Sequence, residues 1–186
     1  VLDAGCGNGK NMTYINNIEK KSIDVLGIDF SEKLLEICKN KLLNVTNADV
    51  RNLPFEDNTF EYVMSIAVVH HLSTEEGRHK SIDEMLRVCK PGGKVLISLW
   101  ALEQPDTSRF NFVSGDNYVK WTTHNSQQSC EEITKRYYYI YDKDSIKIFL
   151  QLYNVESIVL DQGNYFITLL KNNDINESNN KNLFKK

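Results

Sequence analysis

The sequence predicts an α/β fold: a doubly wound, mostly parallel sheet with helices on both faces, closed by a C-terminal antiparallel hairpin. Three observations predict it. Through the first hundred residues, apolar runs of strand length alternate with stretches whose apolar residues recur at threes and fours. A parallel sheet with crossover helices is the economical solution to that alternation. The first apolar run ends in a turn with glycine at alternate positions, Gly5, Gly7 and Gly9. The second ends in a carboxylate, Asp29, and in doubly wound folds an acid about 20 residues beyond such a turn accepts hydrogen bonds from ribose hydroxyls.

Residues 1–3 form a short buried strand, and the glycines after it let the backbone turn sharply where a Cβ would clash. Their spacing is GxGxG, not the GxGxxG of dinucleotide enzymes, so the turn alone is a weak signal. Met12, Ile15 and Ile18 mark the buried stripe of a first helix. Residues 25–29 are the second strand. Ser31 suits the N-cap of a second helix, whose stripe is Leu34, Leu35, Cys38 and Leu42. Residues 45–50 read as the third strand, 52–57 as a loop and 60–67 as the fourth strand. Ser73, Thr74, Glu75 and Glu76 have the form of a capping box, opening a helix lined by Ile82, Met85, Leu86 and Cys89. Pro91, Gly92 and Gly93 stop it, and residues 94–100 are the fifth strand. From Glu103 to Lys135 the pattern lapses into polar residues and reads as an irregular loop, of a length that is usually functional or disordered. Order resumes at residues 136–141, and a helix with Ile146, Phe149, Leu150 and Tyr153 follows. Residues 157–160, a turn at 161–163 and residues 164–170 form the closing hairpin. The expected organisation is one domain over 1–170 and a disordered Asn/Lys-rich tail over 171–186.

A chain of 186 residues, 41% hydrophobic, can bury one sizeable α/β core. No run approaches the roughly 18 apolar residues of a membrane span, so no membrane association is expected. Cys6, Cys38, Cys89 and Cys130 are scattered without a C-x-x-C, which argues against a zinc site or a disulfide framework and fits a reducing cytoplasm. A net charge of -3 argues against gripping nucleic acid by bulk charge but leaves a local basic patch open. The chain opens directly on a core strand with no signal-like stretch, and the expectation is a chain shortened at its N-terminus.

With DAGCGNG (3–9) and GID (27–29) in order, the sequence resembles the class I S-adenosylmethionine-dependent methyltransferases, whose fold is Rossmann-like. SIAVVHHLST (65–74), LWALEQ (99–104), Arg136-Tyr137-Tyr138, the ADV and LPF segments (48–50 and 53–55) and the acid-then-Trp run 116–121 carry the resemblance further. They resemble the eukaryotic tRNA wobble-uridine carboxymethyl methyltransferases, including the methyltransferase part of the AlkB-like tRNA hydroxylase. The resemblance spans residues 1–170. It departs at Tyr139, where the family has His, and at residues 162–165, where an Arg-Asp-Asn-Trp-like run is expected. The N-terminal segment that covers the cofactor in the family has no counterpart in this sequence.

The resemblance implies methyl transfer from S-adenosylmethionine to the carboxylate of 5-carboxymethyluridine in the tRNA anticodon loop. It also implies a small zinc-binding activator subunit as partner. Cofactor contacts are implied at Asp3, Gly5, Gly7, Gly9, Asp29, Phe30, Asp49, Val50, Ile66 and Ala67, with Asp49 and Val50 flanking the adenine. The plain alternative for Asp49 is a turn-forming acid. A substrate carboxylate is already ionised at neutral pH and can attack a sulfonium methyl directly, so the chemistry calls for orientation and water exclusion, not a catalytic triad.

The substrate candidates are His71, Arg136 and Trp121. His70 and His71 follow the fourth strand, at the sheet edge where ligands bind in such folds. One of them is expected to face the substrate; alternatively His70 packs and His71 only orders the loop. Arg136 suits a carboxylate or phosphate, or else a surface ion pair. Tyr137–Tyr141 either stack on a base or form a strand with one ring face in the core. Arg78, His79, Lys80 and Arg87 read as a solvated helix face. In the family's strand order the third strand is an edge, so Leu42 and Leu43 either face the core or are covered by the partner. The competing functions are a methyltransferase acting on a small metabolite and a catalytically inactive RNA-binding domain.

Overall fold

The computed structural model describes residues 1–18, 23–123 and 132–172, with backbone alone at 121–123 and 132–134. Nine strands and four helices are described in it: β1 Leu2–Ala4, α1 Lys10–Ile18, β2 Leu26–Asp29, α2 Glu32–Asn40, β3 Val45–Asn47, β4 Phe60–Ile66, α3 Glu75–Val88, β5 Cys89–Trp100, β6 Gly115–Thr123, β7 Glu132–Ile140, α4 Lys143–Leu150, β8 Val155–Asp161 and β9 Asn164–Leu170. Seven strands make one sheet in the order β3-β2-β1-β4-β5-β9-β8. The pairs from β3 through β5 are parallel, and β9 runs antiparallel to both β5 and β8. All three residues of β1 are buried, as a central parallel strand covered on both faces requires.

The helices bury two separate clusters. Ile82 and Met85 of α3 and Phe149 and Leu150 of α4 pack with Ile97, Leu99 and Ile167 of the sheet. Met12 of α1 and Leu35 and Cys38 of α2 pack with Cys6 and Val25. Ser31 caps α2, accepting from the Leu34 N–H at 3.4 Å. The α2 stripe is one residue shorter than its pattern suggested. The helix ends at Asn40, and Leu42 takes a left-handed φ of 59° and is 94% exposed. Leu43 packs against the second core cluster in its place. Helix α3 is capped by Thr74, not Ser73: its hydroxyl accepts from the Gly77 N–H at 3.1 Å. No spacer separates α3 from β5, because Cys89 already pairs with Phe60 ahead of the expected stop at Pro91, Gly92 and Gly93.

The stretch expected to be an irregular loop contains most of an antiparallel ribbon. Strand β6 pairs along its whole length with β7, with Tyr118 opposite Tyr137 and Trp121 opposite Thr134. Neither of its faces is uniformly apolar, so hydrophobic alternation gives no signal and cross-strand pairing supplies the order. The helix face read as solvated is also largely engaged. Arg78 is 4% exposed, donates to the Leu72 carbonyl at 2.9 Å and lies 3.9 Å over the Tyr139 ring. His79 Nδ1 is 2.7 Å from the Tyr153 hydroxyl, and Arg87 binds Glu84, Asp57 and the carbonyls of Leu53 and Phe55. Lys80 alone stays exposed. Residues 173–186 of the expected tail and Cys130 lie outside the described residues. Among the described residues no helix is long and apolar enough to cross a membrane, and no group of His, Cys, Asp or Glu is placed to hold a metal.

Candidate cofactor and substrate site

The three glycines of the first turn do three different things. All have positive φ, +90° at Gly5, +56° at Gly7 and +76° at Gly9, where a side chain is strained. A Cβ on Gly5 would stand 2.3 Å from Val68 Cγ2, so this glycine lets the 66–68 segment close onto the turn. A Cβ on Gly9 would stand 2.3 Å from Leu43 Cδ1 and 3.0 Å from Cys38 Sγ, so Gly9 serves the packing of α2 and does not line the cavity. A Cβ on Gly7 would meet nothing within 4 Å, and Gly7 lines a cavity of about 550 Å³ at the C-terminal ends of β1, β2 and β4. Asp29 holds the turn in place: Gly7 N–H donates to its Oδ2 at 2.9 Å and Ser31 N–H to its Oδ1 at 2.8 Å. A carboxylate has about four acceptor sites, so capacity remains for a ligand hydroxyl on each oxygen.

Most of the candidate cofactor residues meet at this cavity. Gly5, Gly7, Asp29, Phe30, Asp49, Val50, Ile66 and Ala67 all line it, as does His71. Ala67 adopts a left-handed φ of 59°, and its N–H donates to Ser98 Oγ at 2.9 Å, so the chain leaves β4 in a bend that turns residues 66–68 along the wall. Asp49 is gripped by Arg51, whose Nη2 donates to Oδ2 at 2.6 Å, and these hydrogen bonds hold the Asp49 carboxyl below the usual range. Its acceptor capacity is therefore shared between Arg51 and any ligand. Lys10, Asn11 and Arg51, not singled out in the sequence, also line the cavity, as does Leu34, which the sequence pattern places in the packing stripe of α2. For Lys10 and Asn11 the available signal was their place in the first turn of the helix after the glycines, where backbone N–H groups also face a ligand.

Asp3 lies beneath the cavity and does not line it. Both its oxygens are buried without a partner, and burial, reinforced by repulsion from Asp29, raises its pKa to about 7. Such a carboxyl calls for a donor that the chain does not supply.

The two histidines separate cleanly, in the short 3-10 turn Val69–His71. His70 is fully buried, and its Nδ1 accepts from the Trp100 N–H at 3.1 Å. Its proton therefore sits on Nε2, which has no partner, and burial holds its pKa well below the ordinary value. His71 lies against the cavity with Nδ1 3.0 Å from the Tyr137 carbonyl. A carbonyl only accepts, so Nδ1 carries the proton and neutral His71 presents an Nε2 lone pair. Burial lowers its pKa, and the Arg136 charge acts in the same direction against the raising effect of the Tyr137 bond. Arg136 is thus electrostatically coupled to His71, but it is exposed on β7 and does not line the cavity. Trp121 sits in β6, and its side chain lies outside the described residues. Within the tyrosine run, Tyr138 and Tyr141 are buried, the core reading of that pattern.

A glycine turn with an open face, an acid bracing it from the next strand and an orphaned carboxyl below define a nucleotide-cofactor site of the methyltransferase kind. The methyltransferase-domain family matches residues 2–97, and the chain belongs to that family. Its cofactor is S-adenosylmethionine, and the residues present fit it: Asp29 for hydroxyls, Gly7 for close approach, and the unpartnered Asp3 for a donor reaching the turn. The tRNA (carboxymethyluridine(34)-5-O)-methyltransferase of Arabidopsis thaliana is 49% identical over 122 residues, 66% of this chain and 27% of that protein. The chain spans about a quarter of the length of such curated relatives. An S-adenosylmethionine-dependent methyltransferase from Clostridium acetobutylicum superposes with a TM-score of 0.70 at 15% identity, over 92% of this chain and 83% of that one. A putative methyltransferase in complex with the Haloferax volcanii Trm112 methyltransferase activator gives 0.64 at 14% identity, over 92% and 81%.

Proposed function

We propose that this chain transfers the methyl group of S-adenosylmethionine to the carboxylate of 5-carboxymethyluridine at the tRNA wobble position, giving the methyl ester. The observation that carries the reading is the coupling of His71 at the cavity wall to the β7 strand that bears Arg136, within a chain 49% identical over two thirds of its length to a relative of that name. Bound S-adenosylmethionine supplies an electrophilic methyl on a sulfonium. The substrate carboxylate is the nucleophile, so the chain's task is to hold and orient it. Arg136 suits the carboxylate, since a guanidinium matches it bidentately and stays charged. Neutral His71 has no proton on Nε2 to give the carboxylate, so its role is to accept from a base N–H or ribose hydroxyl of the substrate. Asp29 takes the ribose of the cofactor, and Asp49 and Val50 flank its adenine.

The test is mass spectrometry of tRNA bearing the free acid after incubation with the protein. The ester should form, while quinone and sterol precursors stay unmethylated. His71→Ala and Arg136→Ala should each lower turnover at least tenfold, with the dissociation constant for S-adenosylhomocysteine within about twofold of wild type. Joint loss of turnover and cofactor binding, with a lower melting temperature, would assign both residues to structure.

A small zinc-binding activator subunit belongs to the same proposal. Among the described residues strand β3 pairs on one side only, with β2. The Gly27 N–H bonds to Asn44 O and the Ala48 N–H to Asp29 O, so the even-numbered residues face β2 and the backbone groups of Val45 and Asn47 point outward. Exposed Leu42 lies just before this free edge, a combination that a strand added by a partner would satisfy. Co-expression with the activator should raise solubility and activity, and Val45→Pro should weaken the complex more than the fold, since the lost N–H is not a ladder donor. A monodisperse, fully active chain without a partner would sink this part.

A further inference from the structure

Beside the cavity stands a series of aromatic rings that the cofactor site does not use. His71 touches Tyr138 at 4.4 Å between centroids, and Tyr138 stacks on Trp100 at 4.3 Å with the planes 14° apart. Trp100 touches Phe112 at 5.3 Å and Phe110 at 5.5 Å, and these two stack on each other at 5.2 Å and 12°. The series therefore runs unbroken from the cavity wall outward. Its middle is buried, with Tyr138 3% exposed, and its outer end is open, with Phe110 41% exposed. At that outer end Phe110 presents its ring to water with half-buried Phe112 stacked on it.

We propose that Phe110, Phe112 and Trp100 form a stacking platform for unpaired nucleobases of a single-stranded RNA loop that neighbour the base being modified. This rests on the tRNA reading above and deepens it, naming what holds the loop around the target base. The flanking charges fit that occupant. Arg109, exposed next to Phe110, suits a loop phosphate, and Arg136, assigned above to the target carboxylate, lies on the same face of the ribbon as Tyr138, two residues along β7, so the platform and the target group fall on one side. Aromatic faces for bases with neighbouring cations for phosphates are the general means of binding single strands, and need no excess of positive charge over the whole chain.

The experiment uses the full chain, with its partner if one is needed for solubility, and an anticodon-type RNA hairpin carrying 2-aminopurine in the loop beside the wobble position. Wild type should quench the fluorescence by stacking. Phe110→Ala and Phe112→Ala should each bind the hairpin about tenfold more weakly, while Phe110→Trp restores binding and all three keep wild-type affinity for S-adenosylhomocysteine. A fully paired duplex should not compete. Equal quenching and affinity in wild type and Phe110→Ala overturns the platform and leaves the rings to a protein segment. If such a variant also methylates a carboxymethyluridine hairpin with unchanged KM, the platform falls and the methyltransferase reading stands. If wild type binds and quenches the hairpin but esterifies no RNA, the platform stands and that reading fails.

Discussion

Replacing Gly7 by Ala separates binding from folding more sharply than any other change at the turn. The new Cβ would meet no atom of the chain within 4 Å, so the fold bears only the conformational cost of an L-residue at φ +56°. That cost is about 1–2 kcal/mol, or a fall of about 2–8 °C in Tm for a domain of this size. The methyl would, however, stand in the cavity that Gly7 lines, on the face of the turn proposed to meet the cofactor. Overpacking a filled site by one methyl costs about 1–3 kcal/mol, so the Kd for S-adenosylhomocysteine should rise about five- to 150-fold. Gly9→Ala is the control with the opposite signature. It bears a similar φ cost and also drives a methyl to 2.3 Å from Leu43 Cδ1, beside Cys38 in the second core cluster. Its expected stability loss is about 2–5 kcal/mol, with a Kd changed less than about threefold in the folded fraction. Urea unfolding gives the stabilities, and titration calorimetry of the native proteins gives the affinities. A Gly7→Ala protein that binds as tightly as wild type, or a Gly9→Ala protein that loses more affinity than Gly7→Ala, refutes the assignment of the open face of the turn to the cofactor.

Two further outcomes follow from the acids around the turn. Asp29→Ala removes the acceptor proposed for the ribose and should weaken cofactor binding by about 2–4 kcal/mol. Calorimetry checks it, and an unchanged Kd would show that Asp29 only braces Gly7 and Ser31. Asp3 should make the cofactor-free protein less stable as pH rises. Its carboxyl titrates at 3.8 when unfolded and about 7 when folded, so its contribution is fully present below the lower value and is lost through the upper one. The folded state binds the extra proton in this window, and the loss is on the order of 3 kcal/mol between pH 4 and 7. Asp3→Asn should flatten this part of the urea-denaturation pH profile, and a slope that survives the substitution would place its source elsewhere.

Features with local causes were legible from the residues alone. The glycine turn, the acid ending β2, the cap at Ser31 and the stripes of α3 and α4 depend on backbone conformations and side-chain periods that a short window already contains, whereas of the α1 stripe Met12 is buried and Ile15 half-buried but Ile18, at the helix end, is 52% exposed. Those signals suffice to order the parallel strands and to bring Gly5, Gly7, Asp29, Asp49 and Ile66 to one cavity. What depends on a distant partner was not legible. The ribbon strand β6 carries polar residues on both faces and becomes a strand because β7 supplies its hydrogen bonds. Arg78 reads as a surface charge until Tyr139, sixty-one residues later, places a ring beneath it. Adjacent His70 and His71 have the same chemistry, yet one donor and one acceptor decide their fates. The Trp100 N–H holds His70 in the core, and the Tyr137 carbonyl fixes the His71 tautomer at the cavity. Even the three glycines, alike in sequence and in sign of φ, are told apart only by what stands opposite them: Val68, empty space and Leu43. Sequence spacing constrains a residue's own backbone and the face it occupies, whereas tautomer, burial of charge and the space beside a glycine depend on atoms that arrive only when the sheet and ribbon close around them.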